Sequence, residues 1–216
     1  MSALSHRLGI MDLLAELRSR KLLAIIRADR ADTALDCVET LVEAGITALE
    51  ISLTTPGGVE AIAKARSLYD PHILIGAGTV VTADQASAVA EAQADFSVTP
   101  AITRGAHRSV ELGLPLLCGA LTPTEVIAAL DLGATAVKIF PAKRHGPGYL
   151  SELRAPLPDA PLIAVGGVDA QSAPKYLEAG ALAVGVGSPL LGPAANGGPL
   201  SDLAIRAGTF RTELGI

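Results

Sequence analysis

The sequence predicts an α/β fold, a (β/α)8 TIM barrel preceded by an extra N-terminal helix. Two observations carry that expectation. One phrase recurs along the chain: an amphipathic helix ending in a small residue and Gly, a two-residue link, then an apolar strand. Eight apolar runs of this kind alternate with helical patterns within 216 residues. Strict alternation implies parallel strands with right-handed crossovers. Eight units in a chain this short suit a closed barrel better than an open sheet.

The elements follow in order. Residues 1–20 (MSALSHRLGIMDLLAELRSR) lack the apolar stretch of a signal peptide and read as a short amphipathic helix. Strands are expected over 22–27, 48–53, 73–79, 96–100, 115–120, 136–141, 162–168 and 183–188. The phrase itself appears as VEAG-IT-ALEISL, VELG-LP-LLCGA, LDLG-AT-AVKIF and LEAG-AL-AVGVG. Its Gly45, Gly113, Gly133 and Gly180 stand where a helix needs a left-handed terminating residue, and AEAQ-AD-FSVTP puts Gln93 there instead. The stretch GPAANGGP (192–199) reads as a loop before a last helix over 201–214. No linker or composition break divides the chain, so residues 1–216 are expected to form one domain.

Composition narrows the function classes. Half of the residues are hydrophobic and 3% are aromatic, with no Trp. Small and branched aliphatic residues must therefore fill an interior buried on both faces of the strands. A net charge of −5 with no basic, aromatic-interleaved patch speaks against nucleic acid or an anionic membrane as partner. No apolar run reaches the roughly 18 residues of a membrane span. Cys37 and Cys118 offer neither metal-ligand spacing nor a disulfide framework. The expectation is a cytoplasmic protein with reduced thiols.

Charge inside a dry parallel barrel needs a reason. The eight runs contain only Arg27, Glu50 and Lys138. Glu50 and Lys138 each lie five residues after their helix-ending Gly, so they hold equivalent strand positions. Alternation places Lys138 with Phe140, and Glu50 with Ser52, on the faces that look into the barrel. A buried ion pair kept for stability alone is a poor bargain. An inward lysine amine instead suits attack on a carbonyl to form a Schiff base, with the carboxylate moving protons.

The last two strands end in AVGGV and GVGS. Gly166, Gly167, Gly187 and Ser188 thus stand where barrels often bind phosphate, because glycine lets backbone N–H groups approach the anion. Phosphate binding beside an inward Lys and Glu indicates a phosphorylated carbonyl substrate.

Six ordered segments, LEISL, IGAGTV, SVTP, VKIFPA, AVGGV and GVGS, resemble those of the 2-keto-3-deoxy-6-phosphogluconate / 2-keto-3-deoxy-6-phosphogalactonate aldolase family over essentially the whole chain. That resemblance implies reversible cleavage of a six-carbon phosphorylated keto-deoxy acid to pyruvate and glyceraldehyde 3-phosphate. It also implies a class I mechanism with no metal or separate cofactor, and a homotrimer. By the same resemblance, Lys138 is the Schiff-base lysine and Glu50 the general acid/base. Thr79, Pro100 and Phe140 line the pyruvyl pocket, and Gly166, Gly167, Gly187 and Ser188 hold the phosphate.

Two departures point toward the galactonate type. Gluconate-type members have an arginine shortly after the glutamate, where Thr54 stands here. Galactonate-type members place one at the end of strand 1, as Arg27 is in AIIRA, where it can grip the pyruvate carboxylate. Val165 replaces a threonine of the gluconate type that can bond a substrate hydroxyl. Activity on 4-hydroxy-2-oxoglutarate, or a non-catalytic sugar-phosphate-binding barrel, are the alternatives. His6, His72, His107 and His145 show no ligand spacing. Cys118, at the same repeat position as Lys138, reads as a small core residue, and Lys143 and Arg144 as solvated loop charges.

Overall fold

The computed structural model describes residues 12–216. Its parallel strands close into a barrel in chain order: β1 (Leu22–Ile26), β2 (Ala48–Ser52), β3 (Leu74–Gly78), β4 (Ser97–Thr99), β5 (Leu116–Ala120), β6 (Ala136–Ile139), β7 (Leu162–Val165) and β8 (Ala183–Val186). The helices are α1 (Leu13–Arg20), α2 (Ala31–Glu43), α3 (Gly58–Leu68), α4 (Ala83–Glu91), α5 (Arg104–Glu111), α6 (Pro123–Leu132), α7 (Gly146–Arg154), α8 (Ala173–Glu178), α9 (Ser188–Leu191) and α10 (Leu200–Leu214). The part of the expected first helix before residue 12, with His6, lies outside the described residues.

Every expected strand is present, and three end two or more residues early. Strand 6 stops at Ile139 rather than residue 141, because Pro141 has no N–H to give to a ladder. Strand 7 stops at Val165 where Gly166 and Gly167 turn to φ 102° and 75°. Strand 8 stops at Val186, and Gly187 caps α9. The 192–199 stretch contains a 3-10 turn over Gly192–Asn196 in place of plain loop.

The recurring helix terminus has one cause throughout. Gly133 ends α6 at φ 100°, and Gln93, in the corresponding place, takes φ 62° despite its side chain. Helix starts are equally local: Thr82 with Gln85, and Thr122 with Glu125, form reciprocal capping boxes.

Strand side chains sort into two cores. Leu22, Ala24 and Ile26 of β1, Leu49 and Ile51 of β2 and Val137 and Ile139 of β6 pack outward beneath the helices. Leu23, Ile25, Ala48, Leu74, Phe96, Val98, Leu117, Ala136 and Ile163 fill the inside. Leu13 and Leu17 of α1 join this inner cluster, Leu17 with no exposure. Arg20, at the end of α1, donates to the carbonyls of Thr47 and His72 just before β2 and β3. Helix α1 thus seals the N-terminal end of the barrel, leaving the C-terminal end open.

Outside the barrel wall, Arg66 of α3 meets Asp95 at 3.2 Å, and both are buried. The same carboxylate accepts from the Ile75 N–H at 2.8 Å, and Arg66 donates to the Ile73 carbonyl. The pair is bound into backbone on both sides, which is what a buried charge pair requires.

Candidate active site

Glu50 stands on the inner face of β2, between Ala48 below it and Ser52 above. Its neighbours Leu49 and Ile51 pack outward. Glu50 is 1% exposed, and its Oε2 has no hydrogen-bond partner among the described residues. Space for it exists because β3 carries glycine opposite: a Cβ at Gly78 would overlap Glu50 Oε1. One layer lower, a Cβ at Gly76 would overlap the Phe96 ring, so the ring fills the place of an absent side chain. Burial pushes the Glu50 carboxyl above the usual range, while the charges of Lys138 and Arg27 pull it back part of the way. Favouring the protonated form is the direction that a proton donor needs.

Lys138 is on the inner face of β6, in register with Gly119 of β5 and Ile163 of β7. Its Nζ lies 5.5 Å from the centroid of the Phe140 ring, within cation–π reach. It forms no direct ion pair with Glu50 among the described residues.

A cavity of about 610 Å³ opens at the C-terminal end of the barrel. Arg27, Glu50, Lys138, Phe140, Val165, Gly166, Gly167, Gly187 and Ser188 all line it. The candidate amine, the candidate acid, the arginine and the glycine-rich strand ends therefore share one space. Phe140, 46% exposed, stands at its mouth, and a Cβ at Gly166 would come within 2.9 Å of that ring. Val165 presents an apolar wall.

Two of the expected pocket residues are not among the lining of this cavity. Pro100 lines a neighbouring cavity of about 290 Å³ that meets the first at Phe140. Thr79 is absent from the lining of either; its hydroxyl bonds Ser52 Oγ at 3.1 Å, and its backbone is left-handed at φ 62°. Left-handed backbone is costly for a β-branched residue and marks a position under functional or structural constraint.

Sequence reasoning missed Asn196, Ala195 and Leu191, which line the main cavity from the segment after β8. An Asn in a loop at the C-terminal face of a barrel was the available signal. The repeat position also misplaces Cys118. It pairs with Val137, not Lys138, and faces outward into the helix layer, while Gly119 takes the inner place. Burial raises its thiol pKa, which keeps it protonated. Among the described residues no group of three or more His, Cys, Asp and Glu could hold a metal ion. No helix among them is long and apolar enough to cross a membrane.

Residues 13–196 match the family described as KDPG and KHG aldolase. The chain belongs to this aldolase family. It is accordingly a carbon–carbon lyase. The 2-dehydro-3-deoxy-6-phosphogalactonate aldolase of Escherichia coli K12 is 39% identical over 171 residues, 78% of this chain and 83% of that protein. The 2-dehydro-3-deoxy-phosphogluconate aldolase of Pseudomonas aeruginosa is 36% identical over 162 residues, 74% of this chain and 73% of that one. A solved structure described as native KDPGal superposes with a TM-score of 0.84 at 35% identity, covering 90% of this aldolase and 94% of its own chain. Both sugar-acid types are thus near relatives, with the galactonate enzyme slightly nearer in identity.

Proposed function

We propose that this aldolase cleaves 2-dehydro-3-deoxy-6-phosphogalactonate, and 2-dehydro-3-deoxy-6-phosphogluconate less well, to pyruvate and D-glyceraldehyde 3-phosphate through a Schiff base on Lys138. One observation carries the reading: Lys138 and a buried Glu50, whose Oε2 has no hydrogen-bond partner among the described residues, line one cavity with Gly166, Gly167, Gly187 and Ser188.

The Lys138 amine adds to the C2 carbonyl, and Glu50 gives its proton as the carbinolamine loses water. The Glu50 carboxylate then takes the proton of the C4 hydroxyl. The C3–C4 bond breaks, its electron pair moves to the iminium to leave an enamine, and the aldehyde departs. Glu50 returns its proton to C3, and water releases pyruvate from the lysine. The glycine-rich ends of β7 and β8 hold the phosphate, so that binding energy far from C2 fixes the reacting end in place.

Arg27 is the candidate partner of the substrate carboxylate, since Thr54 supplies no charge at the rival position. Its guanidinium lies close enough for Glu50 to feel its charge. The Arg27→Ala enzyme is expected to show a KM for the keto acid raised about ten- to hundredfold, the range for losing a charge-assisted hydrogen bond. An unchanged KM would remove Arg27 from that role.

Incubation with pyruvate and borohydride tests the reaction itself. One pyruvyl adduct should appear in the peptide containing Lys138, and a labelled peptide elsewhere rules this lysine out. The epimer preference rests on Val165, which cannot bond the hydroxyl a threonine would meet. Steady-state comparison should give the galactonate epimer the higher kcat/KM, and a strong gluconate preference overturns the assignment. The family resemblance supports a homotrimer of one-domain chains in the cytoplasm, with sedimentation as the check on the trimer.

A further inference from the structure

Three hydroxyls cluster above Glu50. Ser52 Oγ lies 2.9 Å from Thr54 Oγ1 and 3.1 Å from Thr79 Oγ1, and the Thr54 N–H approaches it at 3.4 Å. Ser52 has no exposure at all. The ladder explains the place. Ile25 pairs with Glu50 and Ile26 with Ile51, so Arg27 at the end of β1 stands beside Ser52. On the other side Ser52 pairs with Gly78, and Thr79 follows. Arg27, Ser52 and Gly78 thus form one row across three neighbouring strands, one layer above Glu50, and the Ser52–Thr79 hydroxyl contact joins Thr79 to that row.

A buried hydroxyl between two others must choose which one receives its proton. The Thr54 N–H donates to Ser52 Oγ, while either oxygen can be the donor in the contacts of Ser52 with the Thr54 and Thr79 hydroxyls. Ser52 can therefore give its own proton to Thr54 Oγ1 or to Thr79 Oγ1. Given to Thr79, it leaves the Thr79 hydroxyl to donate its own proton to a third partner. A hydroxyl donor and a guanidinium on neighbouring strand ends are complementary to a carboxylate. The left-handed backbone of Thr79 is consistent with a residue held for this purpose.

We propose that Ser52 is a positioning residue: it turns the Thr79 hydroxyl toward the keto-acid carboxylate that Arg27 grips, without touching substrate itself. This rests on the carboxylate reading of Arg27 and the Schiff-base reading of Lys138.

The test is the pyruvate concentration dependence of borohydride trapping, measured on Ser52→Ala, Ser52→Thr and Arg27→Ala beside the wild type. Ser52→Ala is expected to raise the half-saturating pyruvate roughly tenfold, the scale of one hydrogen bond to a charged group. Its trapping rate at saturation should stay within about twofold of wild type, a far smaller change than one hydrogen bond is worth. Ser52→Thr, which keeps the hydroxyl, should restore the wild-type half-saturation. Ser52→Ala saturating like wild type while Arg27→Ala is weakened overturns the role of Ser52 alone. Equal losses in Ser52→Ala and Ser52→Thr also overturn it, since packing would then be the cause. Unchanged saturation in both Ser52→Ala and Arg27→Ala overturns the carboxylate reading together with it. Absence of any wild-type adduct at Lys138 overturns the Schiff-base reading and this proposal at once.

Discussion

Lys138→Ala and Lys138→Arg are each expected to lower turnover by roughly four to six orders of magnitude, the scale seen when a covalent nucleophile is removed. Both should also abolish borohydride trapping of pyruvate. Arginine makes the experiment decisive, because it keeps a cation on a long stem yet offers no amine that can lose its proton. Lys138 sits on the barrel's inner face with Phe140 at 5.5 Å, so a role in mere charge balance would survive that exchange. Steady-state cleavage, coupled to detection of either product, measures the loss. Turnover in Lys138→Arg within tenfold of wild type would mean that the chemistry passes through another group.

Glu50→Gln is expected to lower kcat by about 10²–10⁴-fold, the usual worth of a positioned acid/base. The same change should make the protein more stable near neutral pH. The sign follows from the direction of the shift. Burial raises the Glu50 carboxyl above its unfolded value. At pH below the unfolded value both states hold the proton and the group contributes nothing. Between the unfolded and the raised value the folded state keeps a proton that the unfolded state releases, so stability falls as pH rises. Above the raised value the full penalty remains. Gln carries no such titration. Melting temperatures of the two proteins should therefore converge in acid and separate, with Glu50→Gln higher, as the pH is raised. A Gln variant that is less stable at neutral pH would show that the carboxylate is held by favourable partners rather than kept for its reactivity.

The barrel was legible because its punctuation is local. A helix that ends on a left-handed residue and re-enters a strand two residues later repeats itself, even where Gln93 replaces Gly. Glu50 and Lys138 stood out for a similar reason, since charge is conspicuous among aliphatic strand residues. Counting from the glycine failed at Cys118 because strand register answers to neighbours. Gly119 must face inward there, as a Cβ would overlap the Pro100 carbonyl oxygen, and Cys118 is turned outward. The lining by Leu191, Ala195 and Asn196 was signalled only by an Asn in the last loop, because it depends on how the chain after β8 folds back over the mouth of β1. The backbone bond from the Asp29 N–H to the Ala195 carbonyl shows that fold-back. No local pattern encodes a contact so far apart in the chain.

Helix α1 has a kinetic consequence. With Leu13 and Leu17 driven into the inner core, the described barrel has a floor, and traffic is confined to the opposite rim. On the proposed reaction, the pyruvyl fragment stays tethered at depth while the phosphorylated aldehyde lies nearer the exit. The order of departure is then built into the architecture, aldehyde first and keto acid second, and the synthetic direction must load them in reverse.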